Sequence, residues 1–96
     1  MKPRFTRRAL VQVEEIKAHI EKDNPRAAAA VVRRISVVAK LVALHPSIGR
    51  STAMKDIRVF GASPYPYLVF YRPTETGAVI LRVRHTARGL DWRAGR

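Results

Sequence analysis

The sequence predicts an α+β fold: a two-helix antiparallel hairpin packed on one face of a twisted, mainly antiparallel four-stranded sheet, in chain order β-α-α-β-β-β. Three observations carry this. Apolar residues recur at helical spacing from Leu10 to Ile20 and again from Ala28 to Val42. The break between those runs, Asp23-Asn24-Pro25, is short enough to force the helices antiparallel. From Asp56 to His85 the period changes to two, in segments divided by proline- and glycine-bearing turns.

Met1 to Phe5 reads as a short edge strand, the place where Pro3, without an amide donor, is tolerated. Thr6 has the chemistry of a helix N-cap, and Phe5 and Leu10 bracket it at the spacing of a hydrophobic staple. An amphipathic helix follows from about Arg7 to Lys22. Leu10, Val13, Ile16 and Ile20 mark its apolar side, and Glu14, Glu15, Lys17, Glu21 and Lys22 its wet side. Asn24 caps the second helix and Pro25 opens it with a preset φ. That helix runs to about Leu44 on a stripe of Ala28, Val31, Ile35, Val38 and Val42, widened by Val32, Ala39 and Leu41. Ala27 to Ala30 are small enough for close helix contact. His45-Pro46 ends it, because a residue before proline avoids the α region, and Ser51 to Lys55 form a polar link.

The remaining strands form a meander. Ile57 and Val59 alternate with Arg58 and Phe60; Leu68 and Phe70 with Tyr67, Val69 and Tyr71; Val79, Leu81 and Val83 with Ile80, Arg82 and Arg84. Gly61, Ser63, Pro64 and Pro66 make the first turn, and Pro73 to Gly77 the second. This alternation predicts an apolar face through Leu68, Phe70, Leu81 and Val83, and an opposite face that presents Arg58, Arg82 and Arg84 together.

Composition narrows the function. The net charge is +12, with ten lysines and arginines before Ile48 and nine after it, so the charge belongs to the folded surface and not to a detachable tail. Such a surface suits nucleic acid, a nucleic-acid-bound enzyme or an acidic protein. Without cysteine there is no disulfide framework, thiolate zinc site or thiol nucleophile, and a reducing, cytoplasmic setting is expected. The apolar runs are too short to span a bilayer, and no signal segment is read at the N-terminus. His19, His45 and His85 show no ligand spacing, and neither a phosphate-cradling glycine loop nor a serine elbow occurs, so no metal or cofactor is expected. What remains is basic and aromatic: Arg58, Tyr65, Tyr67, Tyr71, Arg82, Arg84, His85 and Trp92. A metal-free ribonuclease uses such groups, with His85 as base or acid and Arg58, Arg82 or Arg84 on the phosphate. His85 equally suits the end of an inner face as a hydrogen-bonded core histidine.

Several motifs in fixed order carry a family resemblance. Asn24-Pro25-x-Ala27-Ala28 opens the second helix and Leu44-x-Pro46-x-x-Gly49-Arg50 closes it. Ile57-Arg58, Tyr67-Leu68-Val69-Phe70-Tyr71 and Leu81-Arg82-Val83-Arg84-His85 follow. Together they span nearly the whole chain and resemble the RelE/ParE toxin superfamily. The resemblance implies one toxin domain over residues 1–85 and a cognate acidic antitoxin forming a hetero-oligomer with the toxin; residues 86–96, where the periodicity fades, read as a flexible or partner-ordered basic C-terminal tail with Trp92 as its aromatic anchor. RelE-like members cut messenger RNA on the ribosome, and ParE-like members inhibit DNA gyrase. Near Leu68 this chain lacks the middle-strand arginine of the RelE-like pattern, and the preceding lysine cluster is reduced to Lys55 and Arg58. Asp91-Trp92 near the C-terminus looks more like ParE relatives. The resemblance therefore favours gyrase inhibition through Arg58, Arg82, Arg84, Arg88, Trp92 and Arg93. The ribosome-dependent ribonuclease, with Arg58, Arg82, Arg84 and His85 as its catalytic set, is the alternative, and an inactive basic binding module a third.

Overall fold

Thr6 begins the helical hairpin as its position predicts. In the computed structural model, which describes residues 2–89, strand β1 (Pro3–Phe5) leads into helix α1 (Arg7–Glu21), and the Thr6 side chain accepts the Ala9 amide at 3.1 Å. Asn24 does the same for the Ala27 amide at 3.0 Å, opening helix α2 (Pro25–Leu44) with Pro25 in its first turn. A 3₁₀ turn (Pro46–Ile48) follows, then strands β2 (Arg50–Ser51), β3 (Arg58–Gly61), β4 (Tyr67–Thr74) and β5 (Gly77–His85), and a last helical turn α3 (Thr86–Gly89).

The sheet order is β1-β5-β4-β3-β2, with β1 parallel to β5 and every other pair antiparallel. There are thus five strands where four were expected. The extra one, β2, joins Arg50 from the end of the helix-closing stretch to Ser51, the first residue of the anticipated polar link, with Arg50 opposite Val59 and Ser51 opposite Arg58. Both hairpin strands also reach further toward their turn than the alternation suggested, since Thr74 pairs with Gly77. Pro73 is accommodated there because β4 at that point lies beyond the residues paired to β3. Gly77 has φ +148, and a Cβ on it would lie 3.1 Å from the Lys2 carbonyl oxygen, so both conformation and space select glycine.

The core lies between the hairpin and one sheet face. Val31, Ile35, Val38, Ala39, Val42 and Ala43 of α2 meet Tyr67, Val69 and Tyr71 of β4 and Ala78, Ile80 and Val83 of β5. This reverses the expected assignment, in which Leu68, Phe70 and Leu81 took the apolar face. Tyr67-Leu68-Val69-Phe70-Tyr71 is apolar on both sides, so alternation does not say which side meets the helices. The register between β4 and β5 supplies the rest: Phe70 pairs with Arg82 and Tyr71 with Ile80, leaving Leu81 as the extra residue of a bulge. The bulge resets parity, so Ile80 and Val83 point the same way.

Helix α1 packs less deeply than its pattern implies. Ala9 is its buried residue; Val13, Ile16 and Ile20 are partly covered, and Leu10, the expected staple partner of Phe5, is 52% exposed. The helix also closes an edge. Strand β1 covers β5 only from Ala78 to Ile80. Beyond it Thr6 Oγ1 donates to the Leu81 carbonyl at 3.2 Å, and Gln12 Oε1 accepts the Val83 amide at 2.8 Å. These two side chains occupy ladder positions that an added strand would need. Because Thr6 both caps α1 and ties it to β5, Thr6→Ala is expected to cost about 1–2 kcal/mol, and Thr6→Ser to recover most of it, read by thermal unfolding.

Candidate functional site

Directly paired residues share a face of a sheet, so the register sorts the strand side chains. One row reads Arg50, Val59, Phe70, Arg82; the next Gly61, Leu68, Arg84; a third Arg72, Val79, Arg4. All lie on the face turned away from the helices. Five arginines therefore border an apolar centre in which Val59 and Phe70 are buried, and these rows contain no acid. Arg8, at the start of α1, adds to the field. The Arg82 guanidinium is held below the usual arginine range, first by burial and then by repulsion from Arg8 and Arg84. A cluster of like charges of this kind favours an incoming anion, whose binding relieves the repulsion.

Arg58 is not part of this face, although the sequence grouped it with Arg82 and Arg84. It pairs with Tyr71 on the helix side and donates from Nη1 to the Gly49 carbonyl at 2.6 Å. There it braces a corner with Tyr71, whose hydroxyl accepts the Gly49 amide at 2.9 Å and donates to the Pro46 carbonyl at 2.6 Å. Burial raises the Tyr71 pKa, against the lowering effects of the Gly49 hydrogen bond and the Arg58 charge. His85 lies elsewhere again. It is exposed at the end of β5 opposite Tyr67, in an edge-on ring contact at 5.4 Å, and its Nδ1 accepts the Ala87 amide at 3.1 Å. It is not the core histidine that strand parity suggested.

The four candidate catalytic residues are thus distributed over three places: a corner, the far face and a strand end. Arg82 and Arg84 come together; Arg58 and His85 do not join them. Arg4, Arg50 and Arg72 were missed as members of the face. Arg72 stood between the middle strand, read to Tyr71, and the turn that starts at Pro73; Arg50 stood in the stretch that closes the second helix; and the pairing of Arg4 beside Val79 is a long-range contact. Arg88 falls in α3, the helical turn of Thr86 to Gly89 that opens the segment read as a basic tail. Trp92 and Arg93 lie outside the described residues. Among the described residues, no helix is long and apolar enough to cross a membrane.

The ParE toxin of parDE type II toxin–antitoxin systems matches this chain over residues 4–90. The chain belongs to the ParE toxin family. It is 42% identical over 82 residues to a Sinorhizobium fredii (strain NBRC 101917 / NGR234) protein named as a candidate toxin, Y4kP, covering 85% of this chain and 84% of that one. Its fold is similar to a chain of the chromosomal ParDE toxin–antitoxin system from P. aeruginosa, with a TM-score of 0.77 at 22% identity, over 88% of this chain and 95% of that chain. The ParE branch suggested by the sequence is thereby supported, and the ParE toxin is one half of a module that includes an antitoxin. Its arginine face is built on β3, β4 and β5 and flanked by β1 and β2, rigid elements that hold cations in place without a loop.

Proposed function

We propose that this ParE toxin arrests growth in the cytoplasm by inhibiting DNA gyrase, and that a small acidic antitoxin neutralises it by covering the arginine face. The observation that carries this reading is the separation of Arg58 and His85 from Arg82 and Arg84. A ribonuclease needs a proton-transfer group within hydrogen-bond reach of the phosphate that its cations hold. The arrangement instead offers a preformed basic and apolar surface suited to a large anionic target such as a DNA-bound enzyme.

Arg82 and Arg84 are the target contacts on the sheet, with Arg88, Trp92 and Arg93 continuing them along the C-terminal segment. Tryptophan and arginine are the residue types most enriched at interface hot spots. Trp92→Ala is accordingly expected to leave the melting temperature nearly unchanged while toxicity falls. A loss of about 3–5 kcal/mol of stability would mean instead that the indole packs into the core.

Induced expression in a bacterial host tests the reading. Growth should stop, reporter plasmids should lose negative supercoils, and ribosome-bound messages should remain uncut by primer extension. Codon-linked cuts with normal plasmid topology would replace gyrase by messenger RNA as the target.

A further inference from the structure

Burial divides the arginine face into what a partner can touch and what it cannot. Val59 and Phe70, its apolar centre, are only 3% and 7% exposed, whereas Arg4, Arg50 and Arg72 are exposed and Arg82 and Arg84 half-buried. An incoming surface therefore meets guanidinium groups, with the half-covered Leu68 and Val79 between them. A protein partner draws affinity from an apolar interface core with aromatic anchors, and the rows of this face hold no tyrosine or tryptophan. Unstacked bases of a single strand need exposed rings, and Phe70 is buried. The backbone of a duplex asks only for cations in fixed positions. Charge is also segregated. Four of the seven acids, Glu14, Glu15, Glu21 and Asp23, belong to α1 and the link after it, away from this face. Arg72 continues the basic surface into a cleft that Lys55 and Arg58 also line, with Asp56 as its acid.

We propose that the arginine face binds the phosphate backbone of duplex DNA, without regard to sequence, and so reaches gyrase by way of the DNA that the enzyme holds. The inference rests on the gyrase reading above for its setting and deepens it by naming what the sheet touches. Arg50 and Arg82 stand three strand spacings apart, about 14 Å, and the rows follow one another along β4 at about 7 Å. The patch is therefore about 14 Å on a side. A duplex carries one charge per roughly 1.7 Å of axis, so about eight phosphates lie over that length and about four of them face the protein. Repulsion of Arg82 by Arg8 and Arg84 is relieved when those phosphates arrive. Sequence is not read, because strands laid flat on the backbone place no side chain in a groove.

The test titrates the full chain, without gyrase, into a fluorescently labelled duplex of mixed sequence and follows anisotropy from about 50 to about 200 mM salt. Log affinity against log salt should fall with a slope of about −3.6, a loss of roughly 150-fold across that range. Arg4→Ala and Arg72→Ala, both on the exposed rim, should each weaken binding by about fivefold and make the slope shallower by about 1, at unchanged melting temperature. The double variant Arg33→Ala, Lys40→Ala removes two exposed cations from α2, on the helix side, and should bind DNA within about twofold of the unaltered chain. An equal loss from that helix-side pair would overturn the inference, by making net charge and not the face responsible. Tighter binding to a single strand of the same length would overturn it in favour of unstacked bases. Inhibition of supercoiling by a folded chain that binds no duplex would also overturn it, leaving gyrase as a target reached through protein contacts alone. Duplex binding with the expected slope, by a chain that does not inhibit gyrase, would uphold the DNA-binding face and remove the gyrase reading.

Discussion

Gly49→Ala is expected to destabilise the ParE toxin by about 3 kcal/mol, a fall in melting temperature of roughly 12–24 °C for a domain of this size. A Cβ at this position would lie 2.6 Å from Tyr71 Oη, 2.8 Å from Tyr71 Cε1 and 2.8 Å from the Val59 carbonyl oxygen. Gly49 is extended at φ −76, so the demand is for space and not for a left-handed backbone. Neither neighbour yields cheaply. Tyr71 is fully buried and held by two hydrogen bonds, and the Val59 carbonyl belongs to a paired strand. Tyr71→Phe alone should cost about 1–3 kcal/mol, because it strands the buried Gly49 amide and removes the donor to Pro46. Adding Gly49→Ala in that background should cost less than in the unaltered chain, since the closest contact has gone, but not nothing, since the Val59 carbonyl remains. Thermal or urea unfolding of the four proteins measures both terms.

The second large effect is on activity. Replacing Arg82 and Arg84 together by glutamate is expected to reduce gyrase inhibition by at least about a hundredfold, as loss of central arginines and reversal of sign act in the same direction. The Arg82 half of the change should cost little stability. Arg82 is repelled by Arg8 and Arg84 in the folded protein, so reversing charge within the cluster removes a repulsion while leaving the core untouched. Arg58→Ala should show the opposite pattern, lower stability with little direct effect on the target, because its guanidinium serves the Gly49 carbonyl. Melting temperature and inhibition measured on both variants separate the two roles of arginine in this small domain.

Most of the fold was legible because its signals are local. Thr6, Asn24 and Pro25 announce helix starts by their own chemistry, and the helical stripe of Val31, Ile35, Val38 and Val42 is the one that the core uses. The order of the sheet was not, because β1 reaches β5 across most of the chain and nothing near Phe5 names Ile80 as its partner. The site failed to read correctly for a related reason. Arg58, Arg82 and Arg84 share strand parity on paper, but Arg58 pairs with Tyr71 on the helix side, and the bulge at Leu81 breaks the count within β5. A bulge is a property of two strands together. Arg50 and Arg72 joined the face only once β2 formed and β4 extended, and both depend on pairing partners far along the chain.

The proposed target of this ParE toxin is gyrase, contacted through the basic sheet face and with no nuclease step. Supercoiling of relaxed plasmid by purified gyrase, titrated with the purified toxin, tests it most directly. The account predicts inhibition by the unaltered chain, the same inhibition by His85→Ala, and its loss in the double variant Arg82→Glu, Arg84→Glu. Uninhibited gyrase at a large excess of folded toxin, together with cleavage of ribosome-bound messenger RNA that His85→Ala abolishes, would contradict it.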